Sequence, residues 1–261
     1  ILRWELGNDL ISTCKRYKYL GVWFSENGRA GIQIASLKRK AAVATHALCR
    51  LHGNLNSPSA LNILQVAKAI LLLPVEYGHL AYPGALDAIF ETINCRTHKK
   101  LFTLPFYTSN VKLRLELGLI RQRIAGLGGL LKYYLSCTRA PADSLEAKLL
   151  AIFNTGDNPW KKHLRDAVVT LSIVESSIGN PNIPLIAWKK AINRQVVHIS
   201  RSLDLGKLPL DFIFKKLKDS YATNKLGLYL RDSMNKEVRN AIIFLRVMGL
   251  HGPLTLLKVN A

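Results

Sequence analysis

The chain has 261 residues, 49% hydrophobic and only 21% charged, which is enough apolar material for one substantial core or two modest ones and argues for a globular rather than a disordered chain. Its charge is lopsided: 37 Lys and Arg against 17 Asp and Glu leave a formal +20, which favours a polyanionic partner, nucleic acid first and an anionic membrane surface second. The longest apolar run, Ala69–Val75, covers about a third of the roughly 20 residues a bilayer-spanning helix needs.

The first 29 residues read as a small β region. Asn8 and Asp9 supply turn chemistry after Trp4, and residues 17–24 form one strand rich in aromatic and β-branched side chains. Within it, Tyr17, Lys18, Tyr19, Leu20 and Gly21 combine rings that can stack, a cation that can hold a phosphate, and a glycine that admits a second backbone. Ser25–Gly28 is a turn. From Ile32 to Leu51 the period changes: Ile34, Leu37, Ala41, Ala44, Leu48 and Leu51 mark the apolar stripe of an amphipathic helix. Lys38, Arg39, Lys40, His46 and Arg50 lie mostly off that stripe. Between Cys14 and Arg50, the cations Lys15, Arg16, Lys18, Arg29, Lys38, Arg39, Lys40 and Arg50 face one acid, Glu26, so this end is the candidate phosphate-binding face.

Ser57 and Pro58 are expected to cap and open a helix that runs to Leu73 and is apolar nearly all round, the buried centre of a helical bundle. Pro74 ends it and Val75–Gly78 leads away. Pro83 and Gly84 open the next helix, through Leu86, Ile89, Phe90 and Ile93 to Leu101, and Leu104–Pro105 stops it. Thr108, Ser109 and Asn110 offer a cap for a short helix, Val111–Leu117, that Gly118 ends; another spans Arg121–Leu135. Further helices are expected near 143–153, 160–175, 185–201, 210–217 and 236–248, with Asp204–Pro209 as a link between subdomains. The expected fold is mainly α: a small N-terminal β-hairpin, a helical bundle over 30–104 and a second helical region over 105–261.

Catalytic chemistry finds little support. Two-metal phosphoryl transfer needs clustered carboxylates, yet Asp9, Asp87, Asp143, Asp157, Asp166, Asp204, Asp211, Asp219 and Asp232 are dispersed. Gly126–Gly129 sits in a helical pattern, where close helix packing is a better reading than a phosphate loop. His163 and Asp166 could share a helix face, but no serine is placed at reach. Cys14, Cys49, Cys95 and Cys137 lack metal-site spacing and read as reduced thiols of an intracellular protein. The start at Ile1 and the stop at Ala261 read as those of a piece of a longer polypeptide.

The order of these motifs resembles the reverse transcriptases of non-LTR (LINE-type) retrotransposons. Tyr17–Phe24 resembles the primer-grip strand that follows the palm, the basic helix 32–51 resembles the first thumb helix, and Pro74–Gly78, Pro-x-x-Tyr-Gly, is similar to the exit of a thumb helix that closes on a proline and then Tyr-Gly. Leu101–Pro105 with Thr108–Asn110, and then Leu113–Leu119, resemble the segment after the thumb; Ala241–Leu250 resembles the stretch before a cysteine-rich knuckle. The resemblance implies that residues 1–29 end the palm, 30–104 form the thumb and 105–261 follow it. It implies Tyr17, Lys18, Tyr19, Leu20 and Gly21 as primer grip, with Lys15, Arg16, Trp23, Lys38, Arg39, Lys40 and Arg50 on the nucleic acid. The implied partners are an RNA template, a DNA primer and their duplex, together with palm and fingers upstream in the same polypeptide. Mg²⁺ and the catalytic aspartates are implied for that parent, with no cofactor in this chain and no membrane. Nuclear insertion after cytoplasmic synthesis is implied as well. Two other readings stay open: a stand-alone basic helical nucleic-acid-binding module derived from a retroelement, and a scaffold for acidic proteins.

Overall fold

The computed structural model describes residues 4–6, 9–11, 14–19, 21–54, 59–72, 78, 81–155, 159–173, 182–208 and 236–248. The fold is mainly α, with small antiparallel hairpins at the N-terminus followed by helices. Strands β1 (Trp4–Leu6) and β2 (Asp9–Ile11) pair with each other, as do β3 (Arg16–Tyr19) and β4 (Val22–Ser25). The single strand expected over 17–24 is therefore two strands. Gly21 takes φ 88°, a conformation that L side chains avoid, and reverses the chain there. Leu20 lies outside the described residues.

Helix α1 (Gly31–Asn54) buries Leu37, Ala41 and Leu48, as its stripe requires. Leu51 departs from the stripe and is exposed, while His52 is buried beside it because α9 (Lys236–Met248) approaches from that side with Lys236 and Arg239. Helix α2 (Ala60–Ala67) is capped by Ser59, whose hydroxyl accepts from the Asn62 N–H at 3.2 Å; Ser57 and Pro58 lie outside the described residues. A wider π turn, Lys68–Leu72, follows. Pro74, which also lies outside the described residues, has no N–H to give the carbonyl of residue 70. The expected buried centre is not α2: Ala60, Ile63, Ala67 and Leu71 are buried, but Ile70 is exposed, so this segment lies along the side of the bundle.

The centre is α3 (Asp87–Leu101), which packs against α1, α4 (Asn110–Leu117) and α5 (Gln122–Cys137). Ser109 caps α4, and Gly118 at φ 65° ends it. Beyond α5 come α6 (Leu145–Asn154), α7 (Pro159–Thr170) and α8 (Leu185–Leu205). Helix α7 stops before the expected residue 175, with Ser172 at φ 50° just past its end. The segment expected as helix 210–217 lies outside the described residues.

The apolar interior falls into two main clusters. Leu48, Ile63, Phe102, Leu113, Leu117 and Ile243 gather α1, α2, α4 and α9 around the end of α3. Ile124, Leu131, Leu135, Leu171, Trp188 and Ile192 join α5 and α8 to the end of α7. Gly128 allows the second cluster to close, because a Cβ there would stand 2.4 Å from Val196 Cγ2. The two clusters are tied by charge. Arg114 of α4 donates to Asp204 through Nε at 2.8 Å and Nη2 at 2.6 Å, and its Nη1 donates to Glu91 of α3. Arg121 adds two bonds to Asp204 Oδ1, at 2.8 and 2.5 Å. Asp204 thus belongs to the last turn of α8, and the expected link at 204–209 starts too early: two guanidinium groups hold its carboxylate inside the body.

Three outcomes follow from this packing. Gly128→Ala lowers stability by about 1–3 kcal/mol because the β-branched Val196 has little room to give. Gly129→Ala, where a Cβ meets nothing within 4 Å, raises stability by up to about 1 kcal/mol. Urea unfolding of both variants measures the contrast. Asp204→Ala leaves two arginines without their shared partner and costs about 3–5 kcal/mol in the same assay. Burial lowers the pKa of His52 to about 4, with Lys236 and Arg239 pushing the same way; burial also takes His98 to about 4 against the bond to the Asn94 carbonyl. The unfolded chain, with histidine pKa values near 6.5, then takes up protons first. Stability is full above about pH 6.5 and declines toward pH 4. Neither ring nitrogen of His52 has a hydrogen-bond partner, so His52→Leu keeps the fold and flattens part of that decline. A variant with the same pH slope as the parent chain overturns the assignment.

Candidate nucleic-acid interface

Hairpin β3–β4 pairs Arg16 with Ser25, Tyr17 with Phe24, Lys18 with Trp23 and Tyr19 with Val22. Side chains alternate along a strand, so this register puts Tyr17, Tyr19, Val22 and Phe24 on one face and Arg16, Lys18, Trp23 and Ser25 on the other. The first face turns toward the body at β4: Val22 is buried with Ala30, Leu37, Tyr82, Leu86 and Phe90, and the Phe24 ring lies 5.9 Å from that of Tyr82. On the outer strand β3, the same face carries Tyr17 and Tyr19, each 55% exposed, with near-parallel rings 6.2 Å apart. On the opposite face the Lys18 ammonium sits 5.7 Å from the centre of the Trp23 ring. The residues expected to act together as one grip are thus divided, tyrosines to one side and lysine to the other. Lys15 and Arg16 are exposed beside them.

The hairpin is fastened through Trp23. Lys18 and Trp23 face each other one pair before the turn, where the ladder leaves the Trp23 N–H and C=O pointing away from β3. The N–H donates to Gln33 Oε1 of α1 at 3.0 Å, and the carbonyl accepts from the Tyr82 hydroxyl at 2.7 Å. Gln33 is itself buried, and a Cβ on Gly78 would stand 2.9 Å from its Nε2. The turn into α1 is closed as well: the Ser25 hydroxyl donates to the Arg29 carbonyl at 2.8 Å, and the Arg29 N–H donates to Asn27 Oδ1 at 3.0 Å. Sequence reasoning missed Gln33 and Tyr82. The available signal was a glutamine on the inward side of an otherwise apolar helix stripe.

Lys38, Arg39, Lys40 and Arg50 are all exposed on α1. Consecutive helical residues are about 100° apart, so Lys38, Arg39 and Lys40 fan out over about 200° and do not converge on one point. Arg39 and Arg50 share the outer face, with His46 and the exposed Val43 between them, about 16 Å apart along the axis. Such an array can follow an extended backbone of phosphates; it cannot enclose a single small anion.

The remaining candidates for chemistry are separate from this surface. His163 and Asp166 line a cleft of about 420 Å³ with Asp87, Arg123, Pro83 and Gly84, and among the described residues its lining holds no serine, threonine or cysteine. The Cys95 thiol, beside Glu91 and Arg114, is pushed up to about 12, chiefly by burial and then by the Glu91 charge, which keeps it protonated. Among the described residues, no three of the His, Cys, Asp and Glu side chains gather in a way that could hold a metal ion. Nor is any described helix long and apolar enough to cross a membrane.

Compared with protein-family models, with curated proteins and with solved structures, the chain matches none.

Proposed function

We propose that this chain is the thumb and post-thumb part of a non-LTR retrotransposon reverse transcriptase, holding a DNA primer and the RNA–DNA duplex for chemistry performed by other parts of the polypeptide. The observation that carries the reading is the hairpin fastened to α1 through Trp23, which holds an exposed aromatic and cationic strand at a fixed angle to a basic helix. In this reading residues 1–29 end the palm, 30–104 form the thumb, and 105–261 follow it. Tyr17 and Tyr19 position the primer end by stacking on one face of β3, while Arg16 and Lys18 on the other face, with Lys15 beside them, hold phosphates of a primer that passes across the strand's edge. Arg39 and Arg50 track the duplex backbone without reading sequence, and Lys38 and Lys40 act at its flanks. Mg²⁺, deoxynucleotides and the carboxylates that bind the metal belong to the palm, and insertion places the work in the nucleus.

A stand-alone basic module that only binds nucleic acid would use the same surface, and primer extension separates the two. A polypeptide that includes this chain and an upstream aromatic-x-Asp-Asp motif extends a DNA primer on an RNA template. Lys18→Ala with Tyr19→Ala impairs that extension and leaves the circular dichroism spectrum unchanged. Normal extension by the double variant counts against the grip. In the chain alone, affinity for an RNA–DNA hybrid falls linearly with salt on logarithmic axes, and Arg16→Ala with Lys18→Ala lowers the magnitude of that slope by about 1–2. Weak, salt-independent binding would point instead to a scaffold for acidic proteins.

A further inference from the structure

The connection from α3 to α4 presents a second aromatic surface on another part of the fold. Phe106 is 70% exposed and Tyr107 76%, the most exposed aromatic rings among the described residues. Single exposed apolar side chains are ordinary, but these two are consecutive, and Phe106 is held in place. Lys99, only 8% exposed at the end of α3, donates from Nζ to the Phe106 carbonyl at 3.0 Å. The Phe106 ring lies 5.7 Å from that ammonium and 5.2 Å from the guanidinium carbon of Arg96. Thr103, at φ 55°, and the bond from the Thr108 N–H to the Pro105 carbonyl at 3.1 Å shape the loop on either side. Residues 92–115 carry Arg96, Lys99, Lys100, Lys112 and Arg114 and not one Asp or Glu.

We propose that Phe106 and Tyr107 form a stacking platform for unpaired bases of a nucleic-acid strand whose phosphates lie against Arg96 and Lys100. Two neighbouring rings, the first ordered by a buried lysine, match the requirement for single-strand binding: aromatic faces for successive bases beside cations for the backbone. A duplex keeps its base faces covered by their neighbours, so exposed rings discriminate for unpaired strands such as template entering or leaving a clamp. An acidic protein partner would satisfy the cations equally well but has no need of two bare rings.

The proposal rests on the nucleic-acid-binding reading above, and its test separates the two. Fluorescence anisotropy measures the whole chain against a labelled single-stranded RNA of about 12 nucleotides and against an RNA–DNA hybrid. Phe106→Leu with Tyr107→Leu, which keeps apolar bulk and removes the rings, weakens single-strand binding about 10-fold or more and leaves hybrid binding unchanged. Phe106→Trp with Tyr107→Trp retains both. If the leucine variant binds the single strand as tightly as the parent chain, or loses both ligands by the same factor, the platform is overturned and the duplex-binding surface stands. If the parent chain binds neither probe, the nucleic-acid reading itself fails.

Discussion

The buried guanidinium of Arg114 is the constraint on which the arrangement of the helices depends. Burial alone lowers the pKa of an arginine, but here the bonds to Asp204 and the charge of Glu91 more than offset it, and the net direction is upward. The cluster is electrically balanced: Arg114 and Arg121 meet Glu91 and Asp204. Each partner comes from a different place, α3, α4, the turn before α5, and the end of α8. Glu91 also accepts the Gln122 N–H at 3.0 Å, in the first turn of α5, where a carboxylate is favoured by the helix dipole. A buried pair of this kind is weak evidence for net stability, because its desolvation cost is large. Its effect is on geometry, since a guanidinium that must satisfy two carboxylates at once leaves one relative placement of three helices.

From that fixed body the hairpin takes its position by a second, smaller set of bonds. Val22 and Leu37 supply contact, but contact alone would allow the hairpin to slide along α1. The two bonds to the Trp23 backbone, one from each side, set both register and tilt. The edge strand β3 is left with charged and aromatic side chains outward. Lysine and arginine on an edge also discourage pairing with another chain, so the cations serve solubility as well as any ligand. These two roles agree in demanding exposure and differ only in what they ask of the rings: a protective edge has no use for two tyrosines stacked and more than half exposed.

Elements whose ends are written in local chemistry were legible in the sequence. Ser109 and Gly118 bracket α4 because a hydroxyl cap and a left-handed glycine act within three or four residues of themselves. The apolar stripe placed α1, and Lys236–Met248 emerged with the expected limits. The strand over 17–24 misled because nearly every position from Tyr17 to Phe24 suits a strand, so the change of phase at the turn left no mark in the pattern except Gly21. The pairing of Arg114 with Asp204 was illegible for another reason: 90 residues separate them, and no local pattern marks which carboxylate a buried arginine will choose. At the candidate interface the sequence named the charged residues but not their directions. Lys38, Arg39 and Lys40 look like a cluster in one dimension and become a fan on a helix.

The balance of the interior sharpens what the surface excess means. Glu91 and Asp204 are matched one for one by Arg114 and Arg121, so the cluster is neutral and the formal +20 belongs to the rest of the chain. The cations of β3, α1 and the end of α3 therefore face solvent in a chain with a formal +20, and their mutual repulsion opposes folding. A bound polyanion removes that repulsion and by linkage stabilises the folded state in proportion to its own affinity. The same side chains that set the charge problem are those the proposed ligand would meet, with rings beside them at both the hairpin and the α3–α4 loop. Cations alone would be satisfied by small counterions; it is the pairing of cations with exposed rings that leads to the proposal of a nucleic-acid strand, which carries charge and flat surfaces at the same repeat.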